Sequence, residues 1–250
     1  MNKRMYLIMI ISIPLLWIAA IKITNFPSFV IPPPELVVDV LVKESNIFFE
    51  HTTITVTWAL MGYLASNVLA IGMAISFTYL PWFESFATPW TVLIKNVPFV
   101  AIASILVITM GQTPLPRVIV VVLVTFFVIL ANVTKGLKSV DQVLLDRMET
   151  LDASKWQIFW NIRWPSALPY YIASHEIAFT GSVIGAIIAE WMFAKNGLGY
   201  LIVRSMSQYR ADRLYAVVLI SSALSVGAYI LVKVIESRMF KWKREISNGI

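Results

Sequence analysis

Cysteine is absent from the chain, which excludes disulfides, thiol catalysis and Cys-ligated metals. Histidine is nearly absent: only His51 and His175 occur, which leaves little for a His-based metal site. Charge is scarce, with Asp, Glu, Lys and Arg at 14%. The sequence contains no Gly-x-Ser-x-Gly elbow, no His-Glu-x-x-His pair and no Gly-x-x-x-x-Gly-Lys-Ser/Thr phosphate loop. Without that loop the chain is not itself an ATPase, and any ATP-driven step needs a separate subunit. No aromatic-rich basic patch supports a nucleic-acid partner. The net charge of +6 therefore reads as loop and headgroup charge.

What the chain has is apolar surface. It is 58% hydrophobic over 250 residues, with mean hydropathy +0.77, which points to a polytopic membrane protein. The expected fold is all-α, a single transmembrane domain over 1–250 with about six spans, near 5–21, 55–80, 89–110, 117–134, 170–192 and 214–235. No small-x-small cleavage site follows the first, so it reads as an uncleaved helix. Pro27, Pro32, Pro33 and Pro34 break the next interval, and 35–42 predicts a short amphipathic surface helix. Residues 81–88 read as a short turn, and Pro98 falls inside the third span, where it frees a backbone carbonyl. An even number of spans puts both termini on one side. Eleven Lys and Arg lie on that side against seven on the other, which places the termini and the 139–169 loop in the cytoplasm.

That loop, 139–169, is the longest polar interval. Ser139 with Gln142 fits a capping box opening a short helix, with Leu144, Met148 and Leu151 on one side. Asp152 or Ser154 offers a second N-cap. A second helix then carries a stripe of Trp156, Phe159 and Trp160, with Arg163 near its end and Pro165 and Pro169 stopping it. Two amphipathic helices showing large aromatics suit docking into a groove on a partner, or lying in lipid headgroups.

The residues favour docking. The interval resembles the cytoplasmic "EAA" loop of permeases of binding-protein-dependent ABC transporters. Asp146-Arg147-Met148 stands at the Glu-Ala-Ala positions and Asp152 at the Gly, and Ala153-Ser154-Lys155-Trp156-Gln157-Ile158-Phe159 matches the segment that follows. Ala167-Leu168-Pro169 closes it. The Pro-Pro-Pro-Glu-Leu-Val segment, His51-x-x-x-Thr55 and Gly62-Tyr63 resemble the nitrate, sulfonate and taurine branch, and Asn196-Gly197-Leu198-Gly199-Tyr200 resembles that family's Gly-Leu-Gly-Tyr segment. Two departures stand out: Asp146 for Glu, and Asp152 for Gly at a turn that suits positive φ.

The resemblance implies a type I ABC importer permease of the bacterial inner membrane. It further implies a homodimer, cytoplasmic ABC ATPase subunits carrying Mg-ATP, and an extracytoplasmic substrate-binding protein. No cofactor is expected in this chain. Asp146, Asp152, Ala153, Ser154, Lys155, Trp156 and Phe159 would couple to the ATPase, and alternating access would move a nitrate-, sulfonate- or taurine-like anion or a related small organic compound. An ATP-independent channel or secondary transporter, or an integral membrane enzyme, are the alternatives.

Within the spans, Glu190, His175 and Glu176 are costly ionisable groups and candidates for the translocation pathway. Helical spacing puts Glu176 and Glu190 on roughly one face. Lys95 and Asn96, before Pro98, are further candidates, with a snorkelling lysine the plainer alternative. Ser174, Ala178, Gly181 or Ser182, Gly185 and Ala189 form a small-residue face, for packing within one subunit or for a pathway at the homodimer interface.

Overall fold

The computed structural model describes residues 12, 15–19, 21–23, 26–111 and 113–239. The expected first span, 5–21, lies largely outside them. Every regular element described is helical: α1 Pro34–Lys43, α2 Ser45–Tyr79, α3 Pro81–Lys95, α4 Phe99–Met110, α5 Pro114–Lys138, α6 Gln142–Thr150, α7 Lys155–Ile158, a π-turn Phe159–Arg163, α8 Trp164–Phe193, α9 Leu198–Ser207 and α10 Ala211–Met239. Among the described residues four helical stretches are long and apolar enough to cross a membrane, Ser45–Tyr79, Pro114–Lys138, Lys155–Met192 and Ala211–Arg238, or five if the bent pair Pro81–Lys95 and Phe99–Met110 counts as one span.

The third expected span is not one helix. α3 and α4 meet at 93° across 96–98. Pro98 lacks an N–H and disfavours helix at Val97, while the Asn96 amide turns back to donate to the Val92 carbonyl at 2.6 Å. The expected turn at 81–88 is the first half of α3, because Pro81 occupies a first-turn position where no N–H is needed. At about 1.5 Å per residue the 12 residues of α4 fall well short of a bilayer.

The core lies between α2, α5 and α8, where Ala70, Ala74, Ile129, Val133, Leu137, Ala167 and Ala178 are buried together. Small residues let these helices approach: a Cβ on Gly185 would stand 3.2 Å from the Val121 Cα on α5. Ser174, Ala178, Ser182 and Ala189 are also buried in the single chain. Most of the small-residue face of α8 is therefore packed within the single chain, although Ser182 also borders a cavity. A second core joins Val37 and Val40 of α1 to Leu198 and Leu201 of α9 and Ala216 and Val217 of α10.

The polar loop also departs from expectation. Asp141, not Ser139, caps α6, its carboxylate accepting from Val143 N at 3.0 Å. The Ser139 hydroxyl turns back to the Gly136 carbonyl at 2.8 Å. Pro165 and Pro169 do not end the second helix. In the wider π-turn Trp164 N–H reaches the Phe159 carbonyl, and the chain passes Pro165 without stopping. One helical run thus extends from Lys155 to Phe193. Arg163, expected near a helix end, sits within that run and donates to the Leu137 carbonyl at 2.9 Å, which ties the π-turn to the end of α5.

Candidate functional site

The Lys155–Phe193 run carries three ordered polar regions. At its far end, Gly197, Leu198 and Gly199 present successive backbone N–H groups at the start of α9, the orphan donors of any helix N-terminus. Each meets a side chain from another helix. Gly197 N–H donates to His51 Nδ1 at 2.8 Å, Leu198 N–H to the Thr55 hydroxyl at 2.9 Å and Gly199 N–H to Glu190 Oε2 at 3.0 Å. Thr55 donates in turn to Glu190 Oε2 at 2.8 Å. Nδ1 of His51 is an acceptor here, which puts the ring proton on Nε2. Gly197 has φ +100°, and any Cβ there would overlap the Glu190 carboxylate. Glu190 is fully buried, at 0% exposure.

At the other end, residues 150–156 form a compact turn. Asp152 has φ +50°, Ala153 N–H bonds the Met148 carbonyl and Asp152 N–H the Glu149 carbonyl, so α6 closes in a Schellman motif with Asp152 at the left-handed position. Ser154 caps α7 reciprocally: its hydroxyl accepts from Gln157 N–H while Gln157 Oε1 accepts from Ser154 N–H. Beyond the cap, Trp156 is 69% exposed and Leu151 75% exposed, whereas Phe159 is 7% exposed and turned into the core.

The third region lies mid-helix. The Tyr63 hydroxyl meets His175 Nδ1 at 2.8 Å, and the Tyr171 hydroxyl donates to Asn67 Oδ1 at 3.0 Å. Tyr171 packs edge-on against His175, ring centroids 4.2 Å apart.

Residues 66–241 match the family described as the binding-protein-dependent transport system inner membrane component. The chain belongs to that family. Among similar proteins, a formylaminopyrimidine transport permease, ThiX, of Halalkalibacterium halodurans is 29% identical, over 92% of each chain. A riboflavin transport system permease, RibX, of Chloroflexus aurantiacus is 23% identical over 91% of this chain and 85% of its own. A putative aliphatic sulfonates transport permease, SsuC, of Bacillus subtilis is 23% identical over 86% and 78%. The fold is that of a crystallised amino acid ABC transporter with histidines, at TM-score 0.64 and 14% identity, covering 79% of this chain and 96% of that one. The inward-facing MetNI methionine transporter superposes at TM-score 0.57 and 12% identity, over 76% and 95%. The protein is the permease component of an ABC importer.

In this permease the sequence candidates divide. Asp152, Ala153, Ser154, Lys155 and Trp156 form one continuous segment at the surface. Asp146 is exposed on α6, where it accepts from the Gln142 amide at 2.9 Å, and Phe159 is turned away from that surface. Glu190 holds the α9 start, whereas Glu176 is ion-paired with Lys233 of α10, so the two carboxylates face different neighbours. Lys95 and Asn96 stand at the α3–α4 break, and Lys95 lines a cavity with Glu84 and Lys135. The sequence reading missed Tyr171 and Asn67 as site residues. The signal was available: Tyr63 with Asn67 and Tyr171 with His175 are both i, i+4 pairs, each on one helix face. It also missed Glu44, which binds Arg210 at 2.8 Å and Arg213 at 2.6 Å. Burial opposes the Glu44 charge, but the two guanidiniums outweigh it and hold the carboxyl below the usual glutamate range.

Proposed function

We propose that two copies of this permease form the membrane pathway of an importer and that the 150–156 segment is where a cytoplasmic ABC ATPase docks. Mg-ATP binds on that partner, and an extracytoplasmic binding protein delivers the cargo. The observation that carries the reading is the unbroken helix from the Ser154 cap into the membrane. A partner that moves Trp156 moves the same helix that lines the bundle. The ATPase state then biases two arrangements of the permease pair, which is what alternating access requires. The Lys and Arg distribution supports cytoplasmic termini and a cytoplasmic 139–169 loop.

Two cargo chemistries follow from the named relatives, sulfonate-like anions and uncharged ring compounds. The two cavities bordered by Phe179 and Leu231, between α2, α8 and α10, have no lysine or arginine among their lining residues, which supports the second.

The test is co-purification of a tagged permease with its ATPase subunit. Trp156→Ala should reduce ATPase recovery at least tenfold while changing permease stability by no more than about 0.5 kcal/mol, as for an exposed side chain. Unchanged recovery would remove the docking role from this segment.

A further inference from the structure

α3 is loosely held, with Ala87 its one buried residue. Its two faces differ in chemistry. Trp82, Phe86 and Trp90, four residues apart, stand exposed on one face, while Glu84, Thr88 and Lys95 share the other. Exposed tryptophans on one side and charge on the opposite side suit a helix lying at a membrane–water interface. The polar face closes a cavity of about 360 Å³ against α5, lined by Glu84, Thr88, Thr91, Lys95, Thr134 and Lys135 among others. Its carboxylate is occupied, since Glu84 is ion-paired with Lys138. Its cations are not: Lys95 and Lys135 have no carboxylate partner among the described residues, and Lys135 has only the Tyr170 ring, 5.8 Å away. Thr134 lines the same cavity, and its hydroxyl has no hydrogen-bond partner among the described residues. A snorkelling lysine accounts for one such cation, but not for two from different helices converging on one space.

The rest of this cavity is apolar, with walls of Phe77, Val92, Phe127, Leu130 and Ala131. A neighbouring space of about 390 Å³ shares Thr91 and Phe127 with it, and is otherwise lined by apolar side chains such as Leu69, Met73, Trp90 and Leu123. A free oxyanion can use the two lysines but not the aromatic and aliphatic walls. A neutral lipid can use the walls but leaves both cations uncompensated. An anionic phospholipid uses both, its phosphate at the lysines and its chain over Phe127 and Leu130. The cavity also stands at the end of the bundle that carries the docking segment. α3 begins where α2 ends, and there the Tyr79 hydroxyl meets the Lys155 carbonyl at 3.4 Å.

We propose that the cavity between α3 and α5 binds the phosphate of an anionic phospholipid, with Lys95 and Lys135 as its cations. The lipid holds the loosely packed α3 against the bundle. The inference goes beyond the importer reading and does not depend on the cargo. It gives Lys95 a lipid contact in place of a contact with the transported solute.

The test is native mass spectrometry of the full-length purified permease, titrated with phosphatidylglycerol or with phosphatidylcholine of the same chains. Phosphatidylglycerol should bind about tenfold more tightly, or better. Replacing both cations, Lys95→Gln with Lys135→Gln, should bring the two lipids within about twofold of each other. Lys43→Gln with Lys195→Gln removes the same charge at the far end of the bundle and should leave the preference unchanged. Lys95→Arg with Lys135→Arg keeps both charges and should keep the preference, which separates loss of charge from loss of fold. Excess sn-glycerol 3-phosphate, a headgroup without chains, should not displace the lipid. Equal affinity for the two lipids in the unmodified protein would overturn the proposal. A preference that survives the double Gln variant would place the lipid elsewhere and overturn it as well. Displacement by glycerol phosphate or ethanesulfonate would assign the cavity to a free oxyanion, against the proposal. Loss of dimer mass in the double Gln variant would assign the cavity to the second copy and overturn the proposal equally.

Discussion

The two ends of the Lys155–Phe193 helix are built on opposite plans. At the Gly197 end the N–H groups of Gly197, Leu198 and Gly199 each have a buried side-chain partner, and Thr55 donates to Glu190 Oε2, while the buried Glu190 Oε1 is left without a partner. At the Ser154 end the backbone is equally well capped, but Trp156 and Leu151 stand exposed. Both ends are capped, and only one is covered. The buried end directs its polar side chains inside the chain, while the open end leaves apolar area uncovered. Capping of the backbone is therefore common to both ends, and the exposure of large side chains is what separates them.

Removing the buried carboxylate should break this contrast most sharply. Glu190→Ala leaves Gly199 N–H and the Thr55 hydroxyl without their acceptor in a closed site. It should cost about 3 kcal/mol or more, read as a fall in the thermal midpoint of the purified permease, with Glu190→Gln recovering much of the loss because an oxygen acceptor remains. A smaller effect is expected beside that anchor. Glu44 is held by Arg210 and Arg213, and its pKa is lowered on folding. Its contribution is fully present above the ordinary glutamate value of 4.5 and is lost as the pH falls through the lower folded value. Glu44→Gln should remove that acid-side dependence, which a thermal-midpoint series against pH would show. The smallest effect has the opposite sign. Asp152 occupies a left-handed position, so Asp152→Gly should stabilise the 150–156 turn by about 0.5–1 kcal/mol. An unchanged or lower midpoint would mean that the Asp side chain contributes something beyond its backbone conformation.

Much of this was readable in the residues. Ser154 was one of two cap candidates, with Asp152, and the structure selects it, whereas the capping box read at Ser139 and Gln142 is not formed; the left-handed turn follows from Asp152 standing where the family pattern carries Gly. What was not readable depends on distance along the chain. His51, Thr55 and Glu190 each look like isolated polar residues in apolar helices, and only folding brings them to residues 197–199. Phe159 fits the same stripe as Trp156, yet the turn of the helix buries one and exposes the other. Pro81 and Pro165 carried the usual meaning of a stop, but Pro81 opens a helix and the π-turn carries the chain past Pro165. Pro98 was placed inside a span, and the 93° bend shows it breaking one.

The anchored end and the free end together set a mechanical ratio. Measured from Glu190, Lys155 lies about 53 Å along the helix and Phe179 about 17 Å, at about 1.5 Å per residue. A rotation of the rod about its anchor therefore gives the Lys155 end roughly three times the stroke felt at Phe179. By the same ratio, a force applied at Lys155 is felt about threefold larger at Phe179. A long, weak push at the exposed end would become a short, strong displacement in the middle of the bundle.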